Sequence, residues 1–406
     1  MTPPKLLLFS TCHPGWEGTG GMVLADALRS YPRDRLCCFT FLRPTNAEFA
    51  WAPSALGRGL PERGLPEAWP RLGKLAVPPL RHAAWRAQIE WVIAQATRFG
   101  RRHRVDRVWG IAETLTNIMA IRRVAARLGV PYVVTVWDPP DYIAHYRKLD
   151  GFSTGCVMRE FGRMMRGAEA AGVASPWMAE EFGRLYGTRC VVMWHGIPEA
   201  YWHEPAPAPV GDGFVTVAYA GTLYARREFD AFMDAMALCD WRINGLSVRL
   251  RVLTPDLTLH CSRKIVMEHL GYRPLAETLD IVSRCDISYV PYWFDPAYER
   301  AVRLSFPSKL IAALAAGRPV FYHGPDGSSP AIFLKEHPAG VHCNSLDPRR
   351  IVETLERFMA DASGYGRATR AGRAVLGNEF RLDTYIGRFA QVIGAEPAAL
   401  TESRPR

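Results

Sequence analysis

FPSKLIAALAAGRPVFYHGPDGSSPAIF, Phe306 to Phe333, decides the fold of this chain. It reads as a short loop, a small-residue helix, a tight Gly turn, a buried strand, and a Gly/Ser-rich loop that opens another helix. A strand between two such loops aims helix N-termini and backbone N–H groups at one crevice, an arrangement that suits a phosphate-bearing ligand. Lys309 lies within the first loop-helix junction and adds a point charge. The stretch therefore points to nucleotide or sugar-nucleotide chemistry.

The same alternation of strand and helix extends outward in both directions. Upstream, strands are expected at Lys5–Ser10, Leu36–Leu42, Val105–Ile111 and Tyr132–Trp137, with helices at Met22–Ser30, Arg81–Phe99 and Glu113–Leu128. A helix-strand-helix-strand run covers Phe161 to His195, and the Pro-, Gly- and Arg-rich segment Arg43–Pro79 reads as a long irregular excursion. HEPAPAPVGDG, His203 to Gly213, cannot build a core and reads as a linker. Beyond it the pattern restarts with strands Val215–Tyr219, Val248–Leu253, Ile287–Val290 and Val320–Tyr322, helix Glu228–Leu238, and a closing helix Pro348–Met359.

The expected fold is α/β, with two Rossmann-like domains facing a cleft. The first spans 1–203, the linker 204–213 and the second domain 214–375; the tail 376–406, with a helix at Leu382–Ile393, could cross back to the first domain. A length of 406 residues fits two cores rather than one.

Composition narrows the class. At 48% hydrophobic and 22% charged residues the chain is an ordinary globular protein, and its net charge of +10 suits an anionic partner, such as a nucleoside diphosphate or an anionic lipid surface. No stacking-aromatic repeat or nucleic-acid-binding motif accompanies that charge, so a nucleic-acid partner is not expected. The nine cysteines sit mostly in apolar runs and form no CxxC pair, which reads as buried free thiols in a reducing compartment. No apolar run reaches the ~18–20 residues of a membrane span, and the apolar part of MTPPKLLLFSTCHPGW is short for a signal peptide. The expected location is cytoplasmic. The basic stretch Arg71–Arg107, with Trp85 and Trp91, could touch the inner membrane face, or be one ordinary helix against the first sheet.

Ligands of open parallel sheets bind at the carboxyl ends of the strands, which selects the candidate residues. In the first half, Gly18, Gly20 and Gly21 follow the first strand; GTGG is neither GxGxxG nor a P-loop, and a plain turn explains it as well. Asp138 ends the strand YVVTVW and could orient an acceptor hydroxyl or act as a base, or simply start an Asx-turn; His195 ends VVMWHG and could contact substrate or serve as a hinge-side structural residue. In the second half, Gly221 and Thr222 follow the strand VAYA, with Arg226 and Arg227 close behind as diphosphate ligands, or as an ordinary basic first helical turn. Ser308, Lys309, Ser328 and Ser329 complete the phosphate side, and Pro291 and Tyr292 could wall a base or sugar pocket or belong to the core. No HExxH, DxD or GxSxG is present, and no essential metal or cofactor is expected.

These pieces, in this order, resemble the GT-B glycosyltransferases, in particular the family-4-like "glycosyl transferases group 1". VAYAGTLYARREFDAFMDAM, LAETLDIVSRCDISYVPY, FPSKLIAALAAGRPVFYH and CVVMWHGIPEAYW carry the resemblance, which is firm from about Val191 to Met359. It implies a nucleotide-diphosphate-sugar donor held by the second domain, with retaining, metal-independent transfer to a glycan or lipid-linked acceptor. The diphosphate would meet Arg226 or Arg227, Lys309 and backbone N–H groups around Ser308 and Ser329, with Gly21 approaching from the other domain. Two departures stand out. The paired glutamates of many relatives are Leu304 and Ala312 here, and a His before Asp138 is Trp137. They leave open a second reading, a catalytically degenerate GT-B protein acting as a binding or assembly partner.

Overall fold

The computed structural model describes residues 2–59, 71–207, 212–255 and 266–401, and the chain divides into two compact units, Met1–Trp194 with Asp383–Arg406, and His195–Leu382. The middle of the 43–79 excursion and residues 208–211 of the expected linker lie outside the described residues.

Unit 1 is built on seven strands, β1 (Leu6–Ser10), β2 (Leu36–Thr40), β3 (Ser54–Leu56), β4 (Arg107–Ile111), β5 (Tyr132–Val136), β6 (Ala171–Val173) and β7 (Cys190–Val192). All pairings are parallel, in the order β3-β2-β1-β4-β5-β6-β7. The chain leaves β1 to one side and returns through β4 on the other, so the topological switch point lies between these two central strands. Both are apolar runs because both faces of the sheet are covered. The helices are α1 (Thr19–Leu28), α2 (Arg71–His103), α3 (Leu115–Leu128), α4 (Pro140–Tyr146), α5 (Gly151–Gly167) and α6 (Pro176–Tyr186).

One expectation is corrected here. The 43–79 excursion is not wholly irregular, since it contains β3, and α2 begins at Arg71 and continues through Pro78 and Pro79. The ordinary-helix reading of Arg71–Arg107 accounts for Trp85, which is 3% exposed, with Ile89, Val92, Ile93 and Ala96 buried on the same helical stripe, whereas Trp91 is 49% exposed. The spacing of these residues, four and three apart, fixes one inward face and leaves Trp91 off it.

Unit 2 repeats the plan with β8 (Phe214–Ala220), α7 (Arg226–Leu238), β9 (Arg242–Ile243), β10 (Leu246–Leu253), β11 (Val266–His269), α8 (Leu275–Ser283), β12 (Ile287–Pro291), α9 (Glu299–Leu304), α10 (Ser308–Ala315), β13 (Val320–His323), α11 (Ser329–Glu336), β14 (Gly340–Cys343) and α12 (Pro348–Ala360). Its parallel order is β11-β10-β8-β12-β13-β14, with β9 antiparallel on β10. The switch point lies between β8 and β12. Phe232 stacks on Tyr289 at 4.4 Å in the core between α7 and the sheet, joined by Phe229 and Phe321. A further helix, α13 (Ala362–Glu379), extends unit 2 beyond the closing helix expected at Pro348–Met359. Residues before the linker pack on this unit. The His203 N–H donates to the Ala315 carbonyl at 2.8 Å, and Gly317, at φ +68°, leaves room where a Cβ would stand 2.6 Å from the Glu204 carbonyl.

The last helix, α14 (Leu382–Ile393), packs on unit 1. Phe389 meets Trp109 of β4 at 4.5 Å, the Tyr385 hydroxyl donates to the Val23 carbonyl at 3.1 Å, and Arg189 donates to the Gln391 carbonyl at 2.8 Å. The sequence reading of a helix returning to the first domain therefore holds. Among the described residues every cysteine is free, and no helix is long and apolar enough to cross a membrane.

Candidate functional site

The densest constellation lies at the switch point of unit 2. β8 ends in Gly221, whose φ of +94° favours glycine and whose missing Cβ leaves space for the Lys309 stem at 3.2 Å. Lys309 rises from the first turn of α10. Its ammonium donates to the Thr222 carbonyl at 2.8 Å and sits 3.9 Å from the Tyr224 ring centroid and 5.6 Å from that of Tyr219. Among the described residues no carboxylate pairs with it. Lys309 as a whole is half-buried, but its ammonium lies under the rings, and this burial pushes its pKa down to about 7. A cation so placed is held by a carbonyl and ring faces and lacks a counter-ion, which is the electrostatic signature of a site for an anion.

An aromatic wall adjoins it. Trp293 packs on Tyr224 at 4.7 Å, on Tyr292 at 5.3 Å and on Tyr298 at 4.6 Å, and its indole N–H donates to the Tyr224 carbonyl at 3.1 Å. Tyr292 belongs to this wall and is 3% exposed, so the two sequence readings of it, pocket wall and core, meet in one residue. Beneath the wall, the Glu228 carboxylate in the first turn of α7 accepts from the Phe294 N–H at 2.8 Å through Oε1, while its buried Oε2 has no hydrogen-bond partner. This bond ties the β8 side of the switch point to the β12 side.

His323, at the end of β13, is fully buried. Its Nε2 lies 2.7 Å from the Ser345 carbonyl and must carry the proton, which leaves the unprotonated Nδ1 2.8 Å from the Tyr289 hydroxyl, whose one proton is shared with the Glu228 carbonyl at 3.0 Å. Burial lowers its pKa to about 4, and the ring stays neutral. Because the unfolded ring protonates near 6.5, the stability this residue contributes is complete above that pH and is lost as pH falls toward 4. Urea unfolding midpoints measured from pH 7 to pH 4 should fall in that window, and His323→Gln should flatten the slope.

The remaining candidates of unit 2 divide. Ser308 opens α10 next to Lys309 in the chain, and Ser328 caps α11 after the following strand. The Ser328 hydroxyl is buried between the Tyr322 hydroxyl at 2.5 Å and the Pro325 carbonyl at 2.6 Å, and the Ser329 hydroxyl donates to the Ser305 carbonyl. Both side chains are committed to the fold, which leaves backbone N–H groups as what this turn can offer a ligand. Arg226 bonds Asp230 across one helical turn at 2.8 Å, and Arg227 is exposed on the same first turn. Leu304, at the place of one family glutamate, is fully buried, and Ala312 is half-buried. His195 is 8% exposed and is the first residue of unit 2.

In unit 1 the candidates gather at the ends of β1, β4 and β5. Gly20 opens α1 where a Cβ would stand 3.1 Å from Cys12 Sγ and 3.5 Å from the Trp137 ring. Gly21 faces inward, with its missing Cβ 2.0 Å from the Trp16 carbonyl. The glycines thus have an internal steric reason in addition to any ligand. Asp138 is half-buried directly after β5, ahead of α4. Sequence reasoning passed over Glu113, which follows β4 and whose carboxylate accepts from the Thr11 N–H at 2.8 Å and the Ser10 hydroxyl at 3.1 Å. The signal was available, a carboxylate just beyond the buried strand RVWGI. The cap of α3 at Thr114 had been absorbed into an earlier helix start. Among the described residues no group of three or more His, Cys, Asp or Glu could hold a metal ion.

The sequence by itself matches no protein-family model and no curated protein. The structure matches solved glycosyltransferases along nearly its whole length. The Anabaena protein HepE, solved with UDP and glucose and with UDP-glucose, superposes with a TM-score of 0.66 at 15% identity, covering 96% of this chain and 99% of that one. Sucrose-phosphate synthase of Thermosynechococcus elongatus gives 0.67 at 11% identity, covering 95% and 98%. The lipopolysaccharide outer core galactosyltransferase WaaB gives 0.58 at 13% identity, covering 96% and 99%. The chain has the GT-B fold of these enzymes, as the resemblance implied.

Proposed function

We propose that this chain is a glycosyltransferase that moves a sugar from a nucleotide-diphosphate sugar to an acceptor hydroxyl of a glycan or lipid-linked precursor. The observation that carries this reading is the Lys309 ammonium, held over Tyr224 and on the Thr222 carbonyl at the switch point of unit 2 without a carboxylate partner among the described residues. A diphosphate there meets the ammonium, the start of α10 and the backbone of the 328–329 turn, with Arg227 and Arg226 on the adjoining helix start. The aromatic wall of Trp293, Tyr224 and Tyr298 offers ring faces to a base or a pyranose. HepE, of the same fold, was solved with UDP-glucose, which makes a uridine donor the first to test.

In this reading the donor needs no metal, because lysine, arginine and helix N–H groups supply the positive charge at the leaving diphosphate. Asp138 and His195 are the candidates for contact with the reacting groups, and Gly20 and Gly21 for close approach to the donor. Retention of the anomeric configuration follows from the family resemblance and is read from the anomer of the product.

Leu304 and Ala312 favour one competing reading, a binding or assembly protein without turnover, because neither can hold a sugar or ribose hydroxyl as a glutamate does. One experiment separates the two. Thermal unfolding is measured with UDP, GDP, ADP and CDP and with UDP-glucose, GDP-mannose and ADP-glucose, followed by assay of nucleotide release. A ligand at 100 times its Kd stabilises by about 2.7 kcal/mol, a shift of several degrees for units of this size. A shift with one base and release from its sugar conjugate are expected. A shift without release leaves the binding protein, and no shift with any ligand removes the donor site altogether.

A further inference from the structure

The Lys309 amine carries a reactivity that anion binding alone does not use. Its Nζ reaches the Thr222 carbonyl at 2.8 Å and lies 3.9 Å from the Tyr224 ring centroid. The same carbonyl accepts from the Tyr219 hydroxyl at 2.8 Å, so both of its lone pairs are taken. These groups face the amine from β8 and the loop that follows it, and none of them carries a negative charge. Burial pushes the Tyr219 phenol pKa up and keeps it neutral. On α7, Arg226 is paired with Asp230, Arg227 is exposed, and the Glu228 carboxylate accepts from the Phe294 N–H.

An amine attacks carbon only as the free base. An ordinary exposed lysine, with a pKa of ~10.4, is under about 1% free base at pH 8. Burial among neutral groups brings Lys309 down to about 7, so at pH 8 its free base predominates. With one N–H on the Thr222 carbonyl and the other toward the Tyr224 face, the lone pair faces neither partner and stays available. Lys309 is half-buried rather than sealed, so a small reagent reaches it. The surroundings also select the reagent. The start of α10 and Arg227 suit the negative charge of a phosphate, and therefore an acyl donor whose leaving group is phosphate.

We propose that the Lys309 amine is a site of covalent acylation by acyl phosphates, and that this modification switches nucleotide-diphosphate binding off. The inference rests on the diphosphate reading of the site. The Nζ lone pair attacks the acyl carbon and forms the amide C–N bond. The bond from that carbon to the phosphate oxygen breaks, phosphate leaves with the electron pair, and one amine proton passes to solvent. The amide is not protonated at neutral pH, so the charge that meets the diphosphate is lost together with the cation–π contact to Tyr224. A bound nucleotide covers the amine, and donor and acyl phosphate therefore exclude each other.

The test uses the wild-type full chain and acetyl phosphate at pH 8. Acetylation at each lysine is followed by peptide mass mapping, with the exposed Lys148 and Lys335 as internal references. Lys309 should be labelled at least tenfold faster than either. UDP, GDP, ADP or CDP in excess, whichever stabilises the untreated protein against heat, should slow labelling of Lys309 at least tenfold and leave Lys148 and Lys335 unchanged. Protein acetylated without nucleotide should lose the thermal shift; protein acetylated with nucleotide, then freed of it, should keep it. Labelling of Lys309 no faster than of Lys148 and Lys335 overturns the proposal, and so does a full thermal shift in protein acetylated at Lys309. Either result leaves the donor reading standing, because the untreated protein still shifts. Untreated protein that shifts with no nucleotide removes the donor reading and the switch with it.

Discussion

Lys309→Met should abolish most nucleotide-diphosphate binding and at the same time stabilise the ligand-free protein at neutral pH. A hydrogen bond to a charged group contributes about 1.5–3 kcal/mol, so the loss is on the order of 10–100-fold in Kd. The stabilisation has the opposite origin. The ammonium is buried with its pKa lowered to about 7, against 10.5 in the unfolded chain. A lowered pKa means that stability is fully present above 10.5 and is lost as pH falls through 7, because the buried group must then carry its charge without a counter-ion. Met keeps the stem that fills the space beside Gly221 and removes the charge. Calorimetry at pH 6, 8 and 10 should show the variant gaining most over wild type at pH 6. Isothermal titration with UDP should show wild-type affinity falling between pH 7 and 9, by roughly tenfold per unit at most, and the variant flat. A variant that binds nucleotide as well as wild type would refute the assignment of Lys309 to the diphosphate.

Gly21→Ala should cost more stability than any exposed substitution in unit 1. Its helical backbone tolerates alanine, so the effect is purely steric. The new methyl would stand 2.0 Å from the Trp16 carbonyl and 3.0 Å from that of His13. Neither is the end of a flexible side chain. Both belong to a turn closed by the Trp16 N–H on the His13 carbonyl at 2.9 Å, and the Gly15 carbonyl within it accepts from the N–H groups of Thr45 at 2.8 Å and Asn46 at 2.9 Å. The turn must move as a unit, and overpacking of this kind costs about 1–3 kcal/mol, or roughly 2–4 °C of melting temperature per kcal/mol. Gly59→Ala, where the nearest atom lies 3.7 Å away, is the control and should leave the melting temperature unchanged. Equal melting temperatures for the two variants would show that the turn yields without cost.

Much of the site was legible residue by residue and little of it as an arrangement. Gly221, Thr222 and Lys309 were each singled out because each follows a strand or opens a helix, and they do come together. That Lys309 spans 87 positions to reach the Thr222 carbonyl is a consequence of the β8-β12-β13 strand order, which no local pattern contains. Ser328 and Ser329 show the converse. Their residue type suggested phosphate contact, but the packing of α11 turned both hydroxyls inward, onto Tyr322 and Ser305. Trp85 shows it again, since a tryptophan in a basic stretch looks interfacial until the helix face is known. Glu113 and Glu228 were missed for one reason. A buried carboxylate is informative only through its partners, and those partners, Thr11 and Phe294, are 102 and 66 positions away.

The sequence by itself determined the α/β class, the two-core organisation and the order of strands and helices along the chain, including the loop-helix-strand-loop-helix run of Phe306–Phe333, because these follow from hydrophobic periodicity and turn chemistry within a few residues. Only the tertiary structure decided which strand ends are neighbours, and therefore which charges share a crevice. It placed the Lys309 ammonium under Tyr224, left oxygens of Glu228 and Asn117 buried without donors, and set Glu113 between β1 and β4. The physical reason is that pairing of parallel strands joins residues far apart in the chain, and electrostatics acts through those distances in space.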